Sequence, residues 1–588
     1  MDRVIIRIAD HIITPLGEGV ERNLEALLRG ECMLRRHTSI RGELVPEPFV
    51  GSLFDRLPEY PGYSPYEALC IAAAEPAIRC SGLDVSSSDV VFVLSTTKGN
   101  IWSSPADSAR KVAGYFGNKT TPVVVSNACT TGVSAQLTAF RLLNAGTYRT
   151  AVLIGCDVQS LFIVSGFQSF KALSPDACRP FDADRKGLNA GESAACLILG
   201  SLHSLTPLNS LNSLNSLNPL HGSADRPKRS EGKNSLNSLN PLNSLNSLNP
   251  LHPWCLLGGS IHNDANHISG PSRTAEGSLR CLQDALAVTC GERVACVSVH
   301  GTGTAYNDEM EALALHRAGL DDTPVSALKG YFGHTMGAAG LLETILTLHA
   351  LDKGLILPVK GFGQQGTTSP VNVSPEARQA QGHTFIKLLS GFGGVNAAVA
   401  WSRDIQPNSE AENHWKQPVH VHTVNEIRIT RETDLVAAFR ALAQAYPKFF
   451  KMDTLCRLGF VATEQLLQGH ADCIDPEHTA LILANHSASL ANDTEYLATI
   501  SDPDNYYPSP ALFVYTLPNI VTGELAIRHG LYGETAFYVL DNETALQPII
   551  DATLRDERIH SAIVGWVECT GKSDYEAHLS LVTKQSEK

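Results

Sequence analysis

Short apolar strands alternate with helix-like segments along most of this 588-residue chain, and this alternation constrains the fold more than any other feature. Two strand-like runs, Val90–Ser95 and 151–155, are almost wholly apolar. Runs of this kind indicate strands that are buried on both faces of a sheet. The segments 133–146 and 337–351 have the apolar spacing of helices. The sequence therefore predicts a layered α/β fold with mostly buried sheets.

This pattern of strands and helices occurs twice, on either side of a low-complexity segment. Residues 204–253 repeat the triplet Ser-Leu-Asn many times, and Pro219, Pro241 and Pro250 interrupt the repeat. A period of three residues fits neither helix nor strand, and the Pro and Asn content opposes both. We expect a disordered or loosely ordered surface insertion. A short solenoid is the alternative, although the units lack a recognisable repeat pattern.

Composition and charge exclude several classes of function. A chain of 588 residues exceeds the roughly 250–300 residues at which one core stops growing, so we expect two or more core-bearing units. The net charge of −14 argues against nucleic acid or an anionic membrane as the main partner. No apolar run is long enough to span a bilayer and no signal-peptide core is present, so we expect a cytoplasmic protein with reduced thiols. The cysteines form no CxxC pairs and suggest neither a disulfide framework nor a zinc site.

Cys129 is the first candidate catalytic residue. It follows a β-branched strand and precedes a predicted helix, and at such a helix N-terminus unpaired N–H groups favour the thiolate over the thiol. A buried structural cysteine is the alternative for any one of the 14 cysteines. His300, Lys329 and His334 stand in glycine-rich turns elsewhere in the chain. One cysteine together with two such histidines suggests covalent acyl chemistry.

Five motifs make residues 1–405, apart from the insertion, resemble the β-ketoacyl synthases of fatty-acid and polyketide assembly. The motifs are Asn127-Ala-Cys-Thr-Thr-Gly132, Arg179-Pro-Phe-Asp-Ala-Asp-Arg185 with Gly191-Glu192, His300-Gly-Thr-Gly-Thr304 with Asp308 and Glu311, Gly333-His-Thr-Met-Gly-Ala-Ala-Gly340, and Gly391-Phe-Gly-Gly-Val-Asn396. The resemblance implies the thiolase-like fold, an α-β-α-β-α layering of two similar halves. The insertion would then lie at the crossover between the halves, where extra residues need not disturb packing.

The resemblance also implies how the nucleophile works. Cys129 would accept an acyl group from a thioester on the phosphopantetheine of an acyl carrier protein. The backbone N–H groups of Cys129 and Phe392 would stabilise the tetrahedral oxyanion, and Phe392 would gate the site. Gly393 would let the backbone approach the thioester closely, although a tight turn alone also explains a glycine there.

The two histidines would serve the second step, the decarboxylation of a malonyl-type thioester. As neutral imidazoles, His300 and His334 would donate hydrogen bonds to the thioester carbonyl while the enolate forms. Lys329 is expected to pair with Glu311 and organise the histidines, although Glu311 could instead be an exposed helix residue near Asp308. The resemblance requires no metal or organic cofactor.

Two further sets of residues are open to more than one interpretation. Asp182, Asp184 and Arg185 look like acid–base candidates but are better explained as residues that fix a loop. The segment between Lys98 and Val123 is shorter than in related synthases, where it helps to wall the acyl pocket. We therefore name no docking site for the carrier protein.

The last third of the chain, residues 415–588, follows a polar linker at 406–414 and looks like an α/β half-domain. Its order of strands and helices is similar to the N-terminal part of chain-length factors, the inactive partners of condensing enzymes. Where a nucleophile would stand, it has Asp541-Asn-Glu-Thr544 and no cysteine. A structural appendage and a role in dimerisation or pocket shaping are the two interpretations.

Three functions remain open from the sequence. The first is an active condensing enzyme, a homodimer or a heterodimer with a related ketosynthase. The second is a catalytically silent partner or scaffold. The third is a thiolase acting on coenzyme A esters, which would need a second cysteine near the glycine-rich turn 391–394; none occurs there.

Overall fold

The computed structural model describes residues 4–201, 253–404, 419–443 and 445–584. The predicted linker 406–414 lies outside the described residues, and so does almost all of the predicted insertion, 204–253. The expected domain boundaries therefore stay predictions. Within the part of the chain that the structure describes, no helix is both long and apolar enough to cross a bilayer.

Residues 4–201 form the first of three structural repeats. The strands are β1 (Ile5–Thr14), β2 (Gly17–Glu18), β3 (Arg35–Ile40), β4 (Glu43–Ser52), β5 (Val90–Ser95), β6 (Val123–Val125), β7 (Thr150–Asp157), β8 (Ala190–Gly191) and β9 (Ser193–Ser201). The helices are α1 (Val20–Leu28), α2 (Pro65–Ser81), α3 (Pro105–Tyr115), α4 (Thr131–Ala145) and α5 (Leu161–Ser169). Five strands form the main sheet in the order β6-β5-β7-β9-β1, with β9 antiparallel to its neighbours and β5, β6 and β7 parallel. Strands β3, β4 and β8 form a small separate sheet.

Residues 253–404 form the second repeat. The strands are β10 (Cys255–Asn263), β11 (Cys296–Ser298), β12 (Pro324–Ser326), β13 (Leu355–Ile356), β14 (Asn372–Val373), β15 (Arg378–Gln379), β16 (Thr384–Gly391) and β17 (Val395–Ser402). The helices are α6 (Glu276–Ala287), α7 (Ala305–Arg317), α8 (Lys329–Phe332) and α9 (Ala339–Asp352). The order β12-β11-β16-β17-β10 repeats the order and the directions of the first sheet.

The third repeat begins after residue 418. The strands are β18 (Val421–Ile429), β19 (Thr479–Asn485), β20 (Thr535–Val539), β21 (Ser561–Gly571) and β22 (Asp574–Lys584). The helices are α10 (Leu435–Ala441), α11 (Thr454–Leu466), α12 (Leu490–Leu497), α13 (Pro510–Val514), α14 (Ile520–His529) and α15 (Gln547–Thr553). The order β20-β19-β21-β22-β18 is again that of the first sheet, with the same directions. The predicted ketosynthase-like half-domain is therefore present as a fold.

Two junctions join the three sheets. Strand β1 pairs with both β9 and β10, so the first and second sheets meet along β1. Strands β6 and β20 pair antiparallel, with Val125 opposite Tyr538. These two strands occupy the same place in their repeats, so their antiparallel pairing relates the first and third repeats by a local two-fold axis. The third repeat thus packs against the first as a partner subunit would.

The hydrophobic core lies between the layers of sheet and helix. Helix α4 is buried along almost its whole length, and the apolar side chains of α9 are buried beside it. This packing of helices between sheets is the layered thiolase-like arrangement expected from the sequence. Since β5, β6, β7, β11, β12 and β16 run parallel within their sheets, the residues that follow them gather at the carboxyl ends of the strands.

Candidate active site

Cys129 lies in a tight turn between strand β6 and helix α4. Residues Ala128–Thr130 form one turn of 3-10 helix directly before α4. Ala128 has a φ of 48°, which residues other than glycine seldom adopt, so the turn is locally strained. The strand–turn–helix setting predicted for Cys129 is therefore present, and the side chain lines a cavity.

Helices α4 and α9 cross at two glycines, and this crossing brings His334 beside Cys129. A methyl group on Gly132 would lie 2.8 Å from the Cα of Gly340, so any side chain there would push the helices apart. The Nε2 of His334 is 3.0 Å from the Sγ of Cys129. The Nδ1 of His334 accepts a hydrogen bond from the N–H of Met336 at 3.3 Å. The proton of the neutral imidazole is therefore on Nε2, facing the sulfur.

His300 reaches the same cavity from the end of β11. A ring nitrogen of His300, a ring nitrogen of His334 and the Sγ of Cys129 all lie within 4.8 Å of one another. The N–H groups of His300 and Gly301 donate to the carboxylate of Glu311 at 2.5 and 2.8 Å. Glu311 is only 2% exposed, so the alternative of an exposed helix residue is wrong. Its carboxylate fixes the turn that carries His300.

Lys329 pairs with Glu343, and the predicted pair between Lys329 and Glu311 is wrong. The Nζ of Lys329 donates to the Oε1 of Glu343 at 3.0 Å and to the carbonyl oxygen of His300 at 2.6 Å. The two oxygens of Glu311 instead accept the backbone N–H groups of His300 and Gly301. Lys329 still supports the histidine as expected, but through the carbonyl of His300.

Burial sets the protonation of the reactive groups. It raises the pKa of the Cys129 thiol to about 12, although the positive charge of Lys329 and the nearby N–H groups lower this pKa. The N–H groups at the start of the helix favour the thiolate as expected, but loss of hydration outweighs them, so the thiol is the resting form. Burial, and then the charge of Lys329, holds the pKa of His300 and of His334 well below its ordinary value. Both imidazoles are neutral at neutral pH.

Two backbone N–H groups, those of Cys129 and Phe392, act on the sulfur of Cys129. They are the pair that the resemblance to ketosynthases assigns to an oxyanion hole. The turn after Phe392 contains Gly393 at a φ of 92°. A methyl group on Gly393 would lie 2.7 Å from the Nδ2 of Asn519, so close contact with the third repeat explains this glycine. The approach of Gly393 to a thioester stays a prediction.

A cavity of about 240 Å³ surrounds these groups. One wall is apolar and includes Phe167 of α5, Phe170 directly after this helix, and Phe392. Thr302, Thr304 and the turn 269–271 line another part of the cavity. A mixed cavity of this kind can hold an acyl chain at its apolar end and a polar carrier arm at the other.

The third repeat contacts the site directly. The Nδ2 of Asn519 donates to the carbonyl oxygen of Phe392 at 2.8 Å. The Oδ1 of Asn127 accepts from the N–H of Phe537 at 2.8 Å, which ties the nucleophile turn to β20. Phe513 packs behind Phe167, with ring centroids 5.7 Å apart. The third repeat therefore buttresses both the nucleophile turn and the Phe392 turn.

The interface between the first and third repeats also contains a buried ion pair. Lys98, in the short segment noted in the sequence, pairs with Asp493 at 2.7 Å. Next to it, the hydroxyls of Ser165 and Tyr496 lie 2.8 Å apart and share a hydrogen bond. The segment 486–534 of the third repeat thus covers the side on which the first repeat is short.

Three charged residues at the site escaped the sequence analysis. Asp157, at the end of β7, accepts hydrogen bonds from the N–H groups of Thr97 and Gly337 at 3.0 and 2.7 Å. Glu343 and Lys387 form a buried ion pair at 2.5 Å. The available signal was a charged residue within a mostly apolar helix or strand, since a buried charge must find a partner.

The residues between Arg179 and Arg185 have structural contacts. The Oδ2 of Asp182 accepts from the N–H groups of Gly363 and Gln364 at 2.7 and 3.0 Å. Arg185 donates to the carbonyl oxygen of Gly366 at 2.8 Å. These contacts agree with the interpretation of Asp182 and Arg185 as residues that fix a loop.

A group of potential metal ligands lies at the surface, away from the cavity. One ligand atom each from Asp475, His478 and His560 lie within 4.8 Å of one another. The Nδ1 of His478 donates to the carbonyl oxygen of Arg558 at 2.9 Å, which leaves its Nε2 as the free ligand. This group could hold a metal ion. The expectation that the reaction uses no metal or organic cofactor stays a prediction.

Family models match two parts of the chain. Residues 68–204 match the β-ketoacyl synthase N-terminal domain, and residues 255–362 match the C-terminal domain. Nodulation protein E of Rhizobium leguminosarum bv. trifolii is 27% identical over 50% of this chain, which spans 65% of that protein. A putative polyketide β-ketoacyl synthase 1 of Streptomyces halstedii is 24% identical over 68% of this chain and 98% of its own length. The 3-oxoacyl-[acyl-carrier-protein] synthase 2 of Coxiella burnetii is 26% identical over 48% of this chain and 61% of its own length.

Solved structures share the fold. The ishigamide ketosynthase/chain length factor is 23% identical over 68% of this chain and 99% of its own chain, with a TM-score of 0.56. The PfaC keto synthase-chain length factor matches 100% of this chain and 79% of its own, with a TM-score of 0.74 and 12% identity. The two matched models and the five sequence motifs show that this chain is similar to the β-ketoacyl synthases, and the solved structures share its fold.

Proposed function

We propose that the chain is an active condensing enzyme, which first transfers an acyl group from an acyl carrier protein to Cys129 and then extends it. The observation that carries the proposal is the convergence of the Cys129 sulfur with His300 and His334 within 4.8 Å. The nucleophile position of the third repeat, at Asp541-Asn-Glu-Thr544, has no thiol. In this proposal, the lack of catalytic activity that is typical of chain-length factors applies to the third repeat and not to the first two repeats.

The first step is a thioester exchange at Cys129. The sulfur attacks the acyl carbon, and the N–H groups of Cys129 and Phe392 stabilise the oxyanion of the tetrahedral intermediate. As the intermediate collapses, the bond to the carrier sulfur breaks, and the departing carrier thiolate takes up the proton that leaves Cys129. The exchange begins and ends with one thiol and one thioester, so it needs no outside oxidant, reductant or cofactor.

The second step is a decarboxylative condensation. A malonyl thioester loses carbon dioxide, and the negative charge moves to its carbonyl oxygen as an enolate. The Nε2–H of His334 and the ring of His300 stand where they can donate to this oxygen, and neutral imidazoles are suited to donate. The enolate carbon attacks the acyl group on Cys129, the sulfur leaves and is reprotonated, and a β-ketoacyl-carrier is released.

The third repeat supplies the second wall of the site. In the proposal it acts as an internal partner subunit, since it meets β6 through a local two-fold axis and contacts Asn127 and Phe392. Some structural neighbours are complexes of a ketosynthase with a chain length factor, and one contains an acyl-carrier protein with its ketosynthase. These neighbours support an acyl carrier protein as substrate carrier and a ketosynthase-like partner.

Mass spectrometry of the intact chain tests the proposal. The chain is incubated with a panel of acylated carrier proteins, and the mass increase is mapped to a peptide. We expect the acyl group on Cys129, its loss in C129A, and its release as a β-ketoacyl-carrier when malonyl-carrier is added. Acylation of Cys80 or Cys156 instead, or no acylation with any carrier-bound chain, would overturn the proposal.

A further inference from the structure

Lys387 is a second buried lysine beneath the histidines. It stands in the apolar strand β16, and its side chain is fully buried. The Nζ of Lys387 donates to the carbonyl oxygens of Ser298 and Val299 at 3.2 and 3.0 Å and to the Oε2 of Glu343 at 2.5 Å. A buried ammonium is costly unless it is fully paired, and here all three hydrogen bonds are made.

Lys387 and Lys329 share one carboxylate. Lys329 binds the Oε1 of Glu343 and Lys387 binds the Oε2, so two buried positive charges face one negative charge. With all three groups ionised, this cluster of Lys329, Lys387 and Glu343 carries a formal charge of about +1. The lysine charges face the two imidazoles that line the cavity.

The same two lysines hold the backbone before the catalytic turn. The carbonyl oxygens of Ser298 and Val299 bind Lys387, and that of His300 binds Lys329. Three successive peptide groups are therefore fixed by two ammonium groups. Loss of either lysine leaves buried carbonyl oxygens without these donors next to His300.

We propose that Lys387 is a positioning residue for the condensation: its ammonium fixes the backbone that carries His300 and adds a second positive charge, after that of Lys329, beside both imidazoles. The inference rests on the proposed function, because the neutral imidazoles matter only if they stabilise an enolate. Electrostatics agree, since the charge of Lys387 adds to burial and to Lys329 in lowering the pKa of His300 and of His334.

The other titratable groups beside the imidazoles are Lys329, Glu311 and the thiol of Cys129, which lies 3.0 Å from His334. His300 faces Lys329 and His334, and its backbone N–H binds Glu311. Burial raises the pKa of Glu311 to about 7, with Asp308 adding to the rise. Lys387 also interacts with Glu311, so the loss of its charge changes the pKa of Glu311 as well as those of the imidazoles. The pH effect of Lys387 must appear as a displacement relative to the wild-type profile.

The first test replaces the ammonium with a neutral side chain of similar length, in K387M. Without its charge the imidazoles protonate more readily, and protonation at Nδ1 of His334 opposes the N–H of Met336. We expect the acid limb of the malonyl-carrier decarboxylation rate to move up by about one pH unit. Acyl loading of Cys129 should change far less, because Lys387 does not contact the sulfur.

The matched control is the double variant K387M/E343Q. It removes one positive and one negative charge, so the formal charge of the cluster returns to the wild-type value while the hydrogen bonds of Lys387 stay absent. Replacing a buried ion pair with neutral groups of similar size is often tolerated by the fold. We expect the acid limb to return toward its wild-type position in the double variant.

Four results are informative. If wild-type protein decarboxylates no malonyl-carrier, the proposed function fails. If wild-type protein is active and K387M keeps its pH profile, the inference about Lys387 fails while the function stands. A double variant that keeps the shifted profile of K387M would show that lost hydrogen bonds, and not charge, cause the effect, and would overturn the proposed role of the charge. If K387M does not fold, the double variant decides the matter: it must fold and keep the wild-type acid limb, or the proposed role of the charge is wrong.

Discussion

At the residue scale, the site separates a resting thiol from two neutral imidazoles. Burial disfavours charge on Cys129, His300 and His334 alike. The positive charge of Lys329 opposes this effect of burial at the sulfur, where it favours the thiolate, and adds to it at the rings, where it disfavours the imidazolium. The reacting atoms in the cavity therefore carry no negative charge at rest, while the surrounding groups favour negative charge that forms there. Such preorganisation stabilises an oxyanion or enolate that forms only during the reaction.

The raised pKa of Cys129 makes a prediction about acyl loading. Because the pKa lies near 12, only a small fraction of the sulfur is ionised at neutral pH, and this fraction grows with pH. We expect the single-turnover rate of acyl transfer to rise about tenfold per pH unit between pH 7 and 9, as long as chemistry limits the rate. Rapid-quench mass spectrometry measures it. A rate that does not change with pH in this range would contradict the raised pKa of the Cys129 thiol.

Substitutions of His300 and of His334 should affect acyl loading and decarboxylation to different extents. His334 contacts the sulfur of Cys129 and His300 does not, so H300N should lower decarboxylation by about 100-fold or more and spare acyl loading. H334N should lower both steps. Single-turnover rates for each step provide the measurement. Equal loss of both steps in H300N would show that His300 also serves the loading reaction.

The sequence predicted the reacting residues but not their partners. Motif order pointed to Cys129, His300, His334 and Lys329, and the structure brings all four together. It could not tell which carboxylate Lys329 would meet, because Glu311 and Glu343 both lie on helices and only three-dimensional packing selects one. At Cys129, the effect of burial on the thiol pKa outweighs that of the helix terminus. How deeply the thiol is buried cannot be predicted from sequence spacing.

At the element scale, the crossing of α4 and α9 sets the geometry of the site. G340A should push the helices apart, since the new methyl group would lie 2.6 Å from the backbone at Gly132. We expect a loss of about 1–3 kcal/mol in the free energy of unfolding and a larger loss of acyl loading. G114A is the matched control on α3, where nothing lies within 4 Å of the added methyl group. Chemical denaturation and loading assays compare the two, and equal behaviour would contradict the role of the crossing.

The insertion should be removable because the two strands that flank it end close together. Strand β9 and strand β10 lie on either side of β1, and Ile6 faces both Gly200 and Cys255. Two strand spacings separate the ends by roughly 10 Å, which a few residues can bridge. Deleting residues 205–252 behind a short Gly/Ser link should leave acyl loading nearly unchanged. A deletion variant that precipitates would show that the triplets belong to the packed structure.

The alternation of strands and helices predicted the layers, and the structure confirms them. The two-residue strands β8, β13 and β15 escaped prediction because they are too short to show a pattern and pair with partners far away in the sequence. The neighbouring strands β3 and β4 escaped prediction because their residues alternate poorly. The fold between Lys98 and Val123 is a single helix, α3, so the short segment is structured. What the sequence could not show is that the third repeat reaches across to cover it.

At the scale of the whole molecule, the chain consists of three copies of one five-stranded sheet. The first two form one ketosynthase-like unit, and the third meets the first edge to edge through β6 and β20. Helix α4 is buried between layers, whereas Gln547 and Asp551 on the corresponding helix α15 are exposed. Within the described residues no fourth repeat covers α15, and its polar face agrees with contact with solvent.

The pairing of β6 with β20 leads to the final prediction, on a chain that ends at residue 404. Truncation leaves the all-valine strand β6 as an exposed edge, which favours self-association. It also removes the N–H of Phe537 from Asn127 and the amide of Asn519 from Phe392, on either side of Cys129. We therefore expect a changed oligomeric state together with acyl loading reduced by about tenfold or more, since each lost hydrogen bond contributes about 1 kcal/mol and leaves a buried group unpaired.

A full-length N519A variant separates local support from assembly. It should lower acyl loading while the protein keeps its wild-type mass in light scattering, because Asn519 supports the Phe392 turn and lies outside the β6–β20 pairing. N505A, in an exposed turn of the same repeat, is the control and should behave like wild type. A truncated chain that stays monomeric and loads acyl groups at the wild-type rate would leave the third repeat as a structural appendage. Loss of loading in both the truncated chain and N519A would instead make the third repeat part of the catalytic site.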